Sequence, residues 1–168
     1  MRKIILSLCV VLLLAGGAAA DNPVWELYQQ LGQKFPTLES VREQLGPEAV
    51  WREELSRHWA YDNIEIKSIV AANPGIEIMG AELTGGRAEV DGFRLASVAV
   101  IDEGIVDFGG IDIRSARADV IRVFGEPCSI ENNTLRYQPG DAWLLLTFTI
   151  HSEGWVSEMK IEVFGELY

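Results

Sequence analysis

The sequence has few residues of the kinds that hold metal ions or form disulfides. It contains two cysteines, Cys9 and Cys128, and two histidines, His58 and His151. Cys9 lies in an N-terminal segment that we expect to be removed, so Cys128 would remain alone and no intramolecular disulfide could form. The histidines and Cys128 lack the paired spacing of metal ligands. The sequence therefore predicts no metal site and no cofactor, and a fold stabilised by its core.

Positive charge is also scarce. The chain has 14 Lys and Arg against 25 Asp and Glu. After residue 20 the balance is 12 against 25, a formal charge of −13. Because phosphate groups repel such a surface, nucleic acid and anionic membrane faces are poor partners. Another protein is the expected partner, and the oligomeric state is left open.

Long apolar runs are limited to one, at the N-terminus. Arg2 and Lys3 precede Ile4–Leu14, which is apolar except for one serine, and small residues follow as far as Ala20. About 20 residues are needed to cross a bilayer, so this run is too short for an anchor. The pattern is typical of a signal peptide over residues 1–20, cleaved between Ala20 and Asp21. We therefore expect a periplasmic or secreted protein without a membrane anchor.

Recognisable catalytic motifs are missing as well. The sequence has no G-x-S-x-G elbow, no phosphate-binding loop and no dinucleotide glycine fingerprint. Adjacent acids such as Asp102 and Glu103 are common on the solvated surface of an acidic chain. The sequence predicts a protein that is not an enzyme. The alternative is a small envelope hydrolase that uses acidic or histidine side chains.

An internal similarity is present instead. Segment 41–47 resembles segment 120–127, and segment 76–83 resembles segment 156–163, at offsets of 79 and 80 residues. Each copy has the pattern of one helix followed by four short strands separated by turn residues. Short connections favour antiparallel neighbours. We therefore expect an α+β fold with two tandem repeats, each a helix packed on a four-stranded antiparallel meander sheet.

The predicted helices are Leu38–Leu45 and Ala116–Phe124, with Thr37 and Ser115 as N-caps. The predicted strands are Ala49–Glu53, Ser56–Tyr61, Ile64–Ala71 and Ile76–Leu83 in the first copy, and Cys128–Asn132, Thr134–Gln138, Ala142–Ile150 and Trp155–Phe164 in the second. An extra N-terminal helix is predicted over Pro23–Leu31, capped by Asn22, and a connecting hairpin over Ala88–Val90 and Phe93–Ile101. The expected domains are residues 21–101, containing the first repeat and the extra elements, and residues 102–168, containing the second.

A family resemblance rests on the second copy. Its residues are Gly110, Ser115, Val120, Phe124, Gly125, Pro127, Leu135, Tyr137, Phe148, Gly154 and Val156. This pattern resembles SmpA/OmlA-type modules and the β-lactamase-inhibitor-protein-like family. The resemblance implies an exported, non-enzymatic module that binds another protein, in inhibition or in envelope assembly. A PepSY-like module that regulates peptidases is a further alternative. The chain lacks the lipidation signal that the assembly proteins carry, and no disulfide of the inhibitor type is expected to form, so the resemblance does not identify the partner.

Aromatic residues on the predicted strands are the candidate binding residues. They are Trp51, Trp59, Tyr61, Tyr137, Trp143 and Trp155. Large amphipathic rings on a rigid sheet are good anchors for a protein partner. The simpler interpretation is that each ring belongs to the core. The hypothesis therefore requires a sheet face that the helices leave open.

Overall fold

The computed structural model describes residues 22–58, 64–84, 92–140 and 143–164. In chain order the elements are α1 (Pro23–Lys34), α2 (Leu38–Leu45), β1 (Val50–His58), β2 (Ile64–Asn73), β3 (Ile76–Thr84), β4 (Gly92–Val100), α3 (Arg117–Phe124), β5 (Ser129–Glu131), β6 (Thr134–Tyr137), β7 (Leu144–Ile150) and β8 (Val156–Val163). Within these ranges no helix is both long and apolar enough to cross a membrane.

The first two helices begin where the capping residues predict. Asn22 accepts a hydrogen bond from the Val24 amide at 3.0 Å, and a proline occupies the first turn of α1. At α2, Thr37 and Ser40 each accept a hydrogen bond from the other's amide at 3.1 Å. This reciprocal pair is a capping box, and it satisfies two amides that the helix itself leaves free.

The start of α3 differs from the prediction. Its N-cap is Ala116, which has no side-chain capping bond, so the assignment of Ser115 as the cap is wrong. The Ser115 hydroxyl instead accepts a hydrogen bond from the Asp112 amide at 2.9 Å, in the turn before the helix. Ala116 forms an isolated bridge with Trp155, which ties the helix start to the beginning of β8.

Two predicted turns are confirmed. Gly75 has a φ of 92°, where glycine alone has no steric penalty, in the Pro74–Gly75 turn between β2 and β3. Asn132 and Asn133 both have positive φ, 49° and 64°, between β5 and β6. Two central residues with positive φ are the geometry that suits a tight antiparallel hairpin.

The eight strands form one continuous antiparallel sheet in the order β1-β2-β3-β4-β8-β7-β6-β5. The prediction of two tandem repeats, each with its own helix and four-stranded meander sheet, is therefore wrong. The strands of the first and second halves of the chain meet where β4 pairs with β8, from Ser97↔Glu162 to Val100↔Met159. Those main-chain bonds make a single sheet, with three helices in the described residues.

In the first half of the chain, the predicted strand boundaries are wrong for a local reason. Two strands were predicted between residues 49 and 61, but Val50–His58 is one strand paired with β2 along its whole length. Residues 54–56 contain no glycine or proline, so nothing breaks the strand there. The predicted connecting strand Phe93–Ile101 is β4, which pairs with both β3 and β8. The predicted Ala88–Val90 strand lies outside the described residues.

The main core lies on one face of the sheet, beneath the helices and the loop before α3, and a smaller buried cluster of Ile66, Ala81 and Leu83 lies on the other face. Buried residues of β7 show the alternation: Leu144, Leu146, Phe148 and Ile150 all face the main core. The loop contributes Phe108, which is fully buried. Other core members are Val24, Leu27, Leu31, Phe35, Val41, Leu45, Ile78, Val98, Val100, Ile111, Val120, Phe124, Leu135, Val156, Met159 and Ile161. The core therefore draws on chain segments from both sides of residue 101.

Phe148 is the centre of the aromatic part of this core. Its ring is 5.3 Å from that of Phe124, 6.1 Å from Tyr137 and 6.4 Å from Phe108, measured between centroids. Phe148→Ala should lower the free energy of unfolding by about 3–5 kcal/mol, because it removes these contacts and leaves a cavity. Ile130→Ala, at a position 53% exposed, should change it by less than about 0.5 kcal/mol. Urea denaturation followed by circular dichroism measures both, and equal effects would contradict the packing described.

Two glycines make a second matched pair. A Cβ at Gly80 would overlap the Phe93 ring and lie 2.7 Å from the Arg94 carbonyl oxygen, whereas a Cβ at Gly32 in α1 would meet nothing within 4 Å. Gly80→Ala should therefore destabilise the fold by about 1–3 kcal/mol through overpacking. Gly32→Ala should stabilise it by about 0.5–1 kcal/mol through helix propensity. Thermal unfolding midpoints should shift in opposite directions, and a shift of the same sign would refute the close approach at Gly80.

Candidate functional site

The face of the sheet opposite the helices is the candidate site, and we call it the open face. Cross-strand pairing defines its central row, which runs Arg52–Val70–Met79–Ser97–Glu162–Leu145 from β1 to β7. Residues directly opposite one another point to the same side of a sheet. The neighbouring core residue of each strand, such as Ile78 beside Met79, points to the helices. The open face is therefore assigned from register and alternation.

Two of the predicted binding residues lie on the helix side. Tyr137 is 4% exposed and packs against Phe124 and Phe148, and its hydroxyl donates a hydrogen bond to the Gly125 carbonyl at 3.1 Å. Tyr137 is thus a core residue and not part of the open face. Trp51 is half-buried, and the Arg42 guanidinium of α2 lies 5.3 Å from its ring centroid. Strand pairing explains both positions. Tyr137 lies opposite Leu146 and Trp51 lies opposite Ala71, and both of these partners belong to the core under the helices.

Trp155 lies at the turn that leads into β8. Its ring stacks on His151 with centroids 4.3 Å apart, and its indole N–H donates to the Glu153 carboxylate at 3.2 Å. His151 also borders a cavity of about 420 Å³, together with Arg117 and Asn133. Trp155 is therefore part of a polar corner near the start of α3, apart from the central row of the open face.

Trp59 and Tyr61 lie outside the described residues, as does the side chain of His58. Among the residues with described side chains, no group of three His, Cys, Asp or Glu is placed to hold a metal ion. His151 and Cys128 are both exposed, in different turns.

Trp143 has the position that the binding hypothesis requires. It is 62% exposed and lies one residue before β7, at the alternation position of the open face. The amide of Phe164 donates to its carbonyl at 2.8 Å, so the two residues continue the β7–β8 ladder as a cross-strand pair. Phe164 is 44% exposed. The two rings therefore belong to one side of the sheet, next to Leu145, which is buried at 8% exposure.

Phe164 was missed by the sequence analysis, although a signal for it exists. Every second residue of β8 points outward, and these residues are the charged Glu158, Lys160 and Glu162. The next residue in this series is Phe164. An aromatic residue that continues a charged row has no core to fill.

Polar groups line the outward side of the same two strands, β7 and β8. Lys160 and Glu162 form an ion pair on β8, and the Thr149 hydroxyl donates to Glu158 at 3.3 Å. Met79, 38% exposed, is the largest apolar side chain at the middle of the row. The open face thus has a mixed surface with apolar anchors and paired charges, which is the composition of a recognition surface.

Ser97 is a polar residue of the central row that the fold does not satisfy. It is 5% exposed, and its hydroxyl oxygen has no hydrogen-bond partner within the described part of the chain. It lies between Met79 and Glu162, next to the irregular register at Met79 and Gly80.

The titration of Tyr137 tests its placement in the core. Burial, and then the charge of Glu126, raise the pKa of its phenol from 10.0 to about 12. Below pH 10 the phenol is protonated in both states, so its contribution to stability is constant. As pH rises from 10 to 12 the unfolded chain loses its proton first, and stability should fall.

Tyr137→Phe should therefore show a smaller loss of unfolding free energy between pH 10 and 12 than the parent protein, measured by urea denaturation at each pH. The variant should start about 1 kcal/mol less stable, because the bond to Gly125 is lost. A residual fall is expected from Tyr28, whose pKa burial also raises. Identical pH profiles for parent and variant would contradict the burial of the Tyr137 hydroxyl.

Comparison of the chain with protein-family models, curated proteins and solved structures finds no match. The resemblance to SmpA/OmlA-type and β-lactamase-inhibitor-protein-like modules accordingly stays a prediction from the sequence pattern.

Proposed function

We propose that the protein is an exported, non-enzymatic module that binds another protein on the open face of its sheet. The observation that carries the proposal is the exposed pair Trp143 and Phe164. Both rings lie beside Leu145, on a rigid eight-stranded sheet whose other face is filled by the core. Aromatic side chains held on regular structure lose little conformational entropy on binding, and they dominate many binding interfaces.

The proposal changes the aromatic surface expected from the sequence. Trp143 remains a binding residue, Phe164 and Met79 are added, and Tyr137 and Trp51 are assigned to the helix side. The charged rim points to a partner with basic and apolar groups, because the chain is strongly acidic after residue 20. Ion pairs such as Lys160–Glu162 would fix the orientation of the bound partner more than they would raise its affinity.

The alternatives from the sequence are a small hydrolase and a PepSY-like regulatory module. The hydrolase would require a histidine oriented by an acid toward a nucleophile. The Glu153 carboxylate lies 3.8 Å from His151 Nδ1, but the His151 ring is stacked on Trp155, and the same Nδ1 accepts a hydrogen bond from the Glu153 amide at 3.3 Å. No contact in the described residues favours either alternative over binding.

Site-directed photo-crosslinking in the producing cell tests the proposal. A photoreactive phenylalanine analogue at Trp143 or Met79 should give adducts to the same protein. The analogue at Gln33, an exposed position of α1 on the helix side, should give none. In the variant that carries the analogue at Met79, adding Phe164→Ser should reduce the adduct by about tenfold, since loss of an aromatic anchor costs about 1–2 kcal/mol or more.

Circular dichroism confirms that each variant is folded. Adducts of equal yield from Gln33 and Met79, or no adduct from either open-face position, would refute binding on this face.

A further inference from the structure

The two edges of the sheet differ greatly in length. β5 ends the sheet with three residues, whereas β1 ends it with nine, Val50–His58, paired only with β2 in the described part of the chain. An edge strand presents a row of main-chain amides and carbonyls that can pair with another strand. A three-residue edge offers little to pair with, but a nine-residue edge offers a full ladder.

β1 also exposes large apolar side chains. Val50 is 61% exposed and Leu55 is 58% exposed, and they lie on opposite faces of the strand. Trp51 is half-buried on the same face as Leu55. In a monomer these side chains remain largely in water, at the edge where another strand would cover them.

Charged residues on an edge strand normally oppose pairing. Here Arg52, Glu53 and Glu54 are arranged so that one register satisfies them. In a dimer whose two-fold axis is perpendicular to the sheet, β1 pairs antiparallel with β1 of the second copy. Residues that lie opposite each other then point to the same face of the joined sheet. When the axis passes between the two Glu53 residues, Arg52 of each copy lies opposite Glu54 of the other, which gives two pairs of opposite charge.

The same register matches the apolar residues. With the axis at Glu53, Trp51 lies opposite Leu55 of the second copy, again twice, and each covers the other on the helix side. Cross-strand pairs of opposite charge and of aromatic with aliphatic residues both stabilise antiparallel strands.

The two Glu53 carboxylates on the axis are already compensated. The Lys67 ammonium lies 2.7 Å from Glu53, and the Arg42 guanidinium lies 4.0 Å from it. Two Glu53 side chains therefore meet with their own cations beside them. This compensation makes the axis position tolerable in a chain that is otherwise strongly acidic.

Neighbouring registers are less favourable. An axis at Arg52 places two Arg52 side chains opposite each other. An axis at Glu54 pairs two Glu54 carboxylates and places Glu53 opposite Leu55. Like charges directly opposite one another destabilise a sheet. An axis at Leu55 pairs Leu55 with itself and places Glu53 opposite Arg57 of the second copy, so it is the rival register.

We propose that the protein associates with a second copy of itself by antiparallel pairing of β1 with β1, in the register that places Glu53 on the two-fold axis. The pairing joins two sheets edge to edge and keeps both open faces on the same side. It involves neither Trp143 nor Phe164, so it stands or falls independently of the proposed binding function.

Charge reversal tests the association. Sedimentation velocity of the exported protein should show a dimer that forms as concentration rises. Arg52→Glu should weaken the dimer by about tenfold or more, because two attractive pairs become repulsive. The exchanged variant Arg52→Glu/Glu54→Arg should restore it. Arg122→Glu on exposed α3 makes the same change in net charge and should leave the dimer unchanged. A monomer at every concentration, or an exchanged variant as weak as Arg52→Glu, would overturn the proposal.

Disulfide trapping tests the register. The exposed native thiol is first removed by Cys128→Ser. Glu53→Cys should then give a disulfide-linked dimer rapidly under mild oxidation, since opposite residues of antiparallel strands lie about 4.5–5.5 Å apart, within disulfide range. Leu55→Cys on the same face should cross-link at least tenfold more slowly, because its copies lie four residues apart along the strands, about 13 Å. Faster cross-linking of Leu55→Cys than of Glu53→Cys would reject this register, and urea denaturation checks that both variants are folded.

Discussion

The pairing of β4 with β8 holds the two halves of the chain in one sheet. Only the stretch from Ser97 to Val100 pairs with β8, yet it places β3 and β7 in the same layer with two strands between them. Val98 and Val100 lie opposite Ile161 and Met159, and all four are essentially buried. Main-chain hydrogen bonds and burial therefore act together at the join. Without this ladder the first four and last four strands would be separate sheets with two more free edges.

The join determines which surface is available. Because the sheet is continuous, α1, α2, α3 and the loop through Phe108 all cover the same face and share one core. The opposite face then becomes one surface that reaches from Arg52 on β1 to Leu145 on β7. Its outermost anchors, Trp143 and Phe164, come from strands that are adjacent only through the β7–β8 ladder. A surface of this kind is a property of the whole sheet.

Local signals in the sequence predicted most of the elements. Asn22 and Thr37 marked helix starts, Pro74–Gly75 and the Asn132–Asn133 pair marked hairpins, and the alternation of Leu144 to Ile150 identified a core strand. Each of these signals depends on residues a few positions apart. They failed where the local pattern was ambiguous, as at Ser115, whose hydroxyl is used in the preceding turn.

The candidate site was predictable only in part. Trp143 was found from the sequence because it is an aromatic residue in a strand pattern. Tyr137 has the same signal and lies in the core, because its position on β6 places it under α3, where it bonds to Gly125. The difference between them depends on which face the helices cover. That information is held in contacts between distant segments, and no local pattern contains it.

By itself, the sequence determined the acidic character of the chain, its scarcity of cysteine, and most helices and turns, because composition and short-range sterics fix these properties. Only the tertiary structure decided that the strands form one sheet, that Tyr137 and Trp51 face the helices, and that Trp143 and Phe164 are neighbours. The physical reason is that strand order and register are set by hydrogen bonds and side-chain packing between residues far apart in the chain. A local pattern of alternating residues is compatible with several such pairings.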